Sequence, residues 1–308
     1  MNANAASAAP AAAPALLRRA GPLDTVVALV RRELWEHRAL WIAPLVVEGL
    51  LAVSMLLGRT SFDVPDQMLT MQQKVSIFTI AQWGLAQPLF IVTAIVLSFY
   101  LLDCLYAERK DRSILFWKSL PLSDELTVGS KFLVAAAVVP LGVFVLATVS
   151  DLLFAAILAL RLPGALSWST VEWLRTEVVL LLEVVLGVLW YAPLAAALLV
   201  FSAWIPRNPV LWATLVPIVA PILEWFALGT HYIRSFEHYR TFGIWEKLAS
   251  GPDMFDKSNF HHLPPVGAVL DTFNIRGAFT DVDLWLGVVA ALALAYAAAR
   301  VRRYHDES

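Results

Sequence analysis

Residues 132–160 read FLVAAAVVPLGVFVLATVSDLLFAAILAL, an apolar run whose single charge is Asp151. A helix needs about 20 mostly apolar residues to cross about 30 Å of hydrocarbon. This run is long enough to span, with length left to tilt or project beyond the bilayer. Five further segments qualify on the same criterion: roughly 40–57, 85–105, 174–204, 209–228 and 284–300. The predicted fold class is therefore an all-α integral membrane protein with six transmembrane helices.

Composition agrees. The chain has 308 residues, 59% hydrophobic and 16% charged, with a mean hydropathy of +0.68. Soluble domains carry about 45–50% apolar and about 25% charged residues. The spans leave no room for a soluble catalytic domain; the longest stretch without one is Gly229–Asp283, expected as an outer region. A net charge of −2 gives no field suited to nucleic acid. Cys104 is the only cysteine, which excludes an intrachain disulfide and a Cys-rich metal site. Residues 1–20 are Ala- and Pro-rich, lack the pattern of a secretory signal, and read as a disordered tail.

Basic residues set the expected orientation. Arg18, Arg19, Arg31, Arg32 and Arg38 precede the first span. Arg109, Lys110, Arg112, Lys118 and Lys131 lie between the second and third, and Arg300, Arg302 and Arg303 close the last. The opposite loops are sparser in Lys and Arg, so both termini are predicted cytoplasmic. Tryptophans near both sets of span ends fit interfacial belts, with Trp190 the mid-span exception.

Glu48, Asp103, Asp151, Glu183 and Glu224 all fall within predicted spans. A carboxylate at the bilayer centre costs on the order of 3 kcal/mol. Counting about 1.5 Å per residue puts Glu48 and Glu183 near the midplane. They are candidates for a polar pathway facing the bundle interior or a subunit interface; the alternative is structural interhelical hydrogen bonding. Pro44, Pro88, Pro140, Pro193, Pro217 and Pro221 each remove a backbone donor from a span and tend to kink it.

Two polar elements flank the early spans. Residues 23–38, LDTVVALVRRELWEHR, place Leu23, Val26, Val27, Val30 and Leu34 at helical spacing. This predicts an interfacial amphipathic helix, acting either as an elbow that also touches a partner or as a lipid anchor only. Residues 107–131 read AERKDRSILFWKSLPLSDELTVGSK. Ser123 or Asp124 can cap a helix leading into the third span. Phe116 and Trp117 should dock either on the membrane surface or in a protein groove.

This loop, carrying Glu108, Arg109, Asp111, Arg112, Leu120, Pro121, Ser123 and Lys131, resembles that of type-2 ATP-binding-cassette (ABC) exporter permeases. The similarity extends over the elbow helix, six spans and long outer region. It departs at Asp111-Arg112-Ser113, where many members have a Gly-containing segment. The resemblance implies that residues 21–308 form one transmembrane permease domain of a bacterial inner (plasma) membrane. It implies that the loop is a coupling helix in the groove of a separate ATPase, present in two copies as is the permease. The coupling residues it implies are Glu108, Arg109, Asp111, Arg112, Phe116, Trp117, Lys118, Pro121 and Ser123. It also makes part of 229–283 short re-entrant or capping helices.

No nucleotide machinery is present in the sequence. Gly129-Ser130-Lys131 is followed by Phe132, which fails the P-loop pattern. ATP and Mg would therefore sit on the partner, and no cofactor is expected in this chain. His231, His238, His261 and His262, with Asp253 and Asp256, read as loop residues rather than a zinc site. The expected function is the membrane-spanning subunit of an ABC exporter, not itself an enzyme. The alternative is a non-transport membrane sensor or an assembly scaffold.

Overall fold

The computed structural model describes residues 21–57, 71–114, 119, 122–161, 168–248 and 274–304. The predicted tail 1–20, Phe116, Trp117, Lys118, Pro121, Asp253, Asp256, His261 and His262 lie outside the described residues.

Every regular element among the described residues is helical. α1 spans Pro22–Glu36, α2 Ala39–Leu57, α3 Met71–Asp103 and the short α4 Tyr106–Lys110. α5 (Asp124–Leu133) runs through a π-helical turn, Val134–Val138, into α6 (Val139–Arg161). α7 is Thr170–Trp204, α8 Pro209–Leu228, α9 Tyr232–Leu248, α10 Ile275–Phe279 and α11 Val282–Tyr304. Six helical stretches are long and apolar enough to cross a membrane: 39–57, 81–110, 124–160, 170–204, 209–228 and 282–304. The chain thus has the architecture of a multi-pass helical membrane protein, with spans close to those predicted.

The π turn has a local cause. Pro140 cannot donate to the carbonyl of residue 136, and its ring crowds that carbonyl. The backbone widens instead, with Val139 N–H bonding to Val134 O five residues back.

α11 packs along α7 more extensively than any other pair of elements. Gly287 and Ala291 on α11, four residues apart, are buried, as are Ala298 and Ala299 a turn or two further on. Ala192, Ala196 and Ala203 are buried on α7. Small side chains let two helix backbones approach closely, which is how helices associate where lipid is as apolar as the core. Outward-facing positions on α2, α8 and α11 are large and apolar, among them Leu50, Phe226 and Leu292. Within the chain α8 buries only Pro209 and Glu224.

Most of the first half of the outer region is helical: α9 follows α8 after the left-handed Gly229, at φ +65°. Its sequence is neither strongly apolar nor cleanly periodic, which is why it reads as a loop. Glu224, read as an intramembrane acid, is the device that starts it. Its carboxylate accepts from Thr230 Oγ1, Tyr232 N and Ile233 N at 2.7, 2.7 and 2.8 Å. Those backbone donors have no partner within the helix.

Trp190 is explained by the same element. Its indole is buried, and Nε1 donates to Arg240 O at 2.9 Å. The Arg240 guanidinium lies 4.8 Å and Lys247 Nζ 5.1 Å from the ring centroid, a cation–π arrangement. Lys247 also pairs with Asp281 and donates to Tyr239 OH at 2.8 Å. Trp190→Phe keeps most of the volume and removes the donor. It should destabilise the detergent-solubilised protein by about 1–3 kcal/mol; an unshifted melting temperature would refute this role.

Candidate functional site

Two regions gather polar chemistry. The first is a buried ion network at the basic end of the bundle. Lys131 on α5 is 0% exposed, and its Nζ lies 2.7 Å from Glu33 Oε1 and 3.1 Å from Glu108 Oε1. Glu108 on α4 also takes Arg32 at 2.7 Å and Arg302 at 2.9 Å. Arg302 reaches Asp124 Oδ1 at 2.9 Å with its other nitrogen. Tyr100 OH donates to Glu33 Oε2 at 3.1 Å. Away from the half-exposed Glu36, which pairs with Arg32 at the rim, three acids (Glu33, Glu108, Asp124) face three bases (Arg32, Lys131, Arg302), so the inner network is balanced. Such balance is required, because an unpaired buried charge costs several kcal/mol.

These groups come from α1, α3, α4, α5 and α11, and they bracket the 107–131 loop. Glu108 holds its beginning; Asp124 and Lys131 hold its end. Arg109 adds a second anchor, donating to Ser202 O and Ile205 O at 2.5 and 3.0 Å at the end of α7. Ser202 Oγ in turn accepts from Leu105 N and Tyr106 N, both at 3.1 Å, where α3 breaks into α4. Ser123 caps α5, its side chain accepting from Leu126 N at 3.1 Å. Asp111 and Arg112 are exposed, and Arg112 turns the chain with a φ of +55°.

α1 turns inward only part of the stripe its spacing predicts: Val26, Val30 and Leu34 are half-buried, the last two against the core. Leu23 and Val27 are exposed, while Leu29 and Glu33 are buried. Glu33 falls seven residues after Val26 and three after Val30. A carboxylate on that stripe is the sequence signal for a buried ion pair, and periodicity of apolar residues alone passes over it. Burial works against the charge of Arg32, but hydrogen bonds to Glu36 and Glu108 more than offset it and raise its pKa. Burial pushes the His37 imidazole below its ordinary pKa, with attraction from Glu33 only partly opposing. Ligand atoms of Glu33, Glu36 and His37 lie within 4.8 Å of one another. Lys131 and Tyr100 already occupy both oxygens of Glu33, and Arg32 holds Glu36 at 2.8 Å, so the group belongs to the network.

No protein-family model, curated protein or solved structure matches this chain.

The second region is a slot between α3 and α7, backed by the π turn and touched by Trp245 of α9. Its volume is about 480 Å³, within the range of small-molecule sites. Ala135, Ala136 and Pro140 line it, so the widened turn forms part of its wall. Glu183 also lines it. One carboxylate oxygen accepts from Trp83 Nε1 at 3.0 Å; the other, Oε1, is buried with no hydrogen-bond partner among the described residues.

Glu48 and Glu183 are both buried, but no hydrogen bond or charge interaction links them. Glu48 lies instead near Asp151, which contacts Glu177. Glu177 Oε2 also accepts from Thr148 Oγ1 at 2.8 Å. Asp103 is exposed at the basic end.

Proposed function

We propose that this chain is the membrane-spanning permease subunit of an ABC exporter. It would act as a homodimer with two copies of a separate ATPase, both termini being cytoplasmic. The observation that carries the reading is the anchoring of the 107–131 loop. A loop meant to receive force from a partner must transmit it to the spans. Glu108, Arg109, Asp124 and Lys131 tie both ends of this one to α1, α7 and α11 through short, mostly buried contacts.

In this reading α1 is the elbow helix. Asp111, Arg112, Phe116, Trp117, Lys118 and Pro121 meet the ATPase, while Glu108, Arg109 and Ser123 hold the loop in place. The Asp111-Arg112-Ser113 departure is accommodated, because Arg112 adopts the left-handed backbone that glycine takes most readily. The bare apolar face of α8 leaves surface for lipid and for a second copy.

Purification from native membranes tests the proposal. A P-loop ATPase at one copy per permease, identified by mass spectrometry, is the expected result. A homogeneous preparation lacking any ATPase would favour a sensor or scaffold instead.

A further inference from the structure

From the slot between α3 and α7 we infer a binding site for a single-chain amphiphilic cation, with Glu183 as the counter-charge. As a cargo site it rests on the export reading; as a binding site it stands without it.

The shape comes first. The slot follows α3 from Gln87 to Leu101, about 21 Å at 1.5 Å per residue. Beyond its polar end the lining is dominated by apolar side chains, with Leu101 and Leu198 toward the basic end. Such a channel suits one extended hydrocarbon chain better than a compact polar solute. Gly187 contributes no side chain to the wall, and a Cβ there would meet nothing within 4 Å.

Charge decides the head group. Glu183 sits at the Gln87 end of the slot and is 9% exposed. Trp83 satisfies one of its oxygens, and Oε1 has no partner. A desolvated carboxylate gains most from a cation, or from a donor carrying positive charge. An anionic head would be repelled, and a neutral hydroxyl could donate to Oε1 but would leave the buried charge uncompensated. An ammonium at Glu183 with its chain lying toward Leu198 meets both demands.

Binding of tritiated dodecylammonium, whose head carries both the charge and N–H donors, to the permease alone, in phosphatidylcholine nanodiscs, tests the site without an ATPase. A missing motor therefore cannot be mistaken for a missing site. Saturable binding to the wild type is expected, displaced by unlabelled cation and at least tenfold less well by dodecanol. Glu183→Gln, which can still accept from Trp83, should weaken binding at least tenfold. Ala94→Phe, which narrows the slot without touching charge, should weaken it comparably. Glu48→Gln lies outside the slot and should bind as wild type. Several results would overturn the inference: no saturable binding, full affinity in a folded Glu183→Gln, or equal competition by dodecanol, which would make the slot a neutral acyl groove. Efficient Ile95→Cys cross-linking between two copies, with binding lost, would make it a subunit interface. If Glu183→Gln does not fold, the comparison of cation with dodecanol on the wild type decides.

Discussion

Lys131→Met is expected to lower the stability of the detergent-solubilised protein by about 3–5 kcal/mol, the cost of breaking a buried ion pair from one side. Lys131 is wholly buried between Glu33 and Glu108. Methionine fills a similar length of stem but leaves the buried Glu33 and Glu108 with one base fewer, three acids against two bases. The double variant Glu33→Gln/Lys131→Met removes one charge of each sign. It should recover most of the loss, because Glu108 keeps Arg32 and Arg302. Melting curves of wild type, both single variants and the double variant make a complete cycle. Simple additivity of the two single losses would show that Lys131 acts through packing rather than charge.

The second large effect is functional. Phe116→Ala/Trp117→Ala should cost on the order of 2–4 kcal/mol in ATPase association, about thirtyfold or more in affinity, because buried aromatic anchors dominate protein interfaces. Membrane insertion and the melting temperature should stay at wild-type values. The loop's anchors are Glu108, Arg109, Asp124 and Lys131, and none of them is altered. Transport, measured in proteoliposomes with the partner, should fall with the lost association, and ATP hydrolysis should no longer be coupled to it. Wild-type association and coupling in the double variant would count decisively against a coupling role for this loop.

These predictions treat the two ends of the molecule differently because their physics differs. The ion network is a closed set in which every charge has an opposite neighbour, so single changes there act on folding. The slot leaves one carboxylate oxygen unmatched, so changes at Glu183 act on what binds. An unmatched buried polar atom is costly to keep, and a ligand that supplies the missing charge is a physical reason to keep it.

The six spans were legible from sequence alone. Each is a long run of apolar residues, and hydrocarbon requires such runs to satisfy their own backbone as helices. A cap at Ser123 or Asp124 was equally legible, because capping is local, and the structure makes it Ser123. Pro140 marked a disturbance, but the missing donor alone is compatible with either a kink or a π turn. Tertiary structure alone decided where the charges went. Glu33, Glu108, Lys131 and Arg302 are separated by up to 269 positions; Glu33 on its apolar stripe is the one local hint of burial, and nothing local names the partners that bury it. The same holds for Trp190, whose donor finds Arg240 O on a helix that sequence read as a loop. Glu48 and Glu183 looked alike as isolated acids in apolar runs. Packing placed one near the acid Asp151 and the other at the end of a slot; each keeps a buried oxygen without a partner among the described residues, so the slot is what makes Glu183 the candidate site.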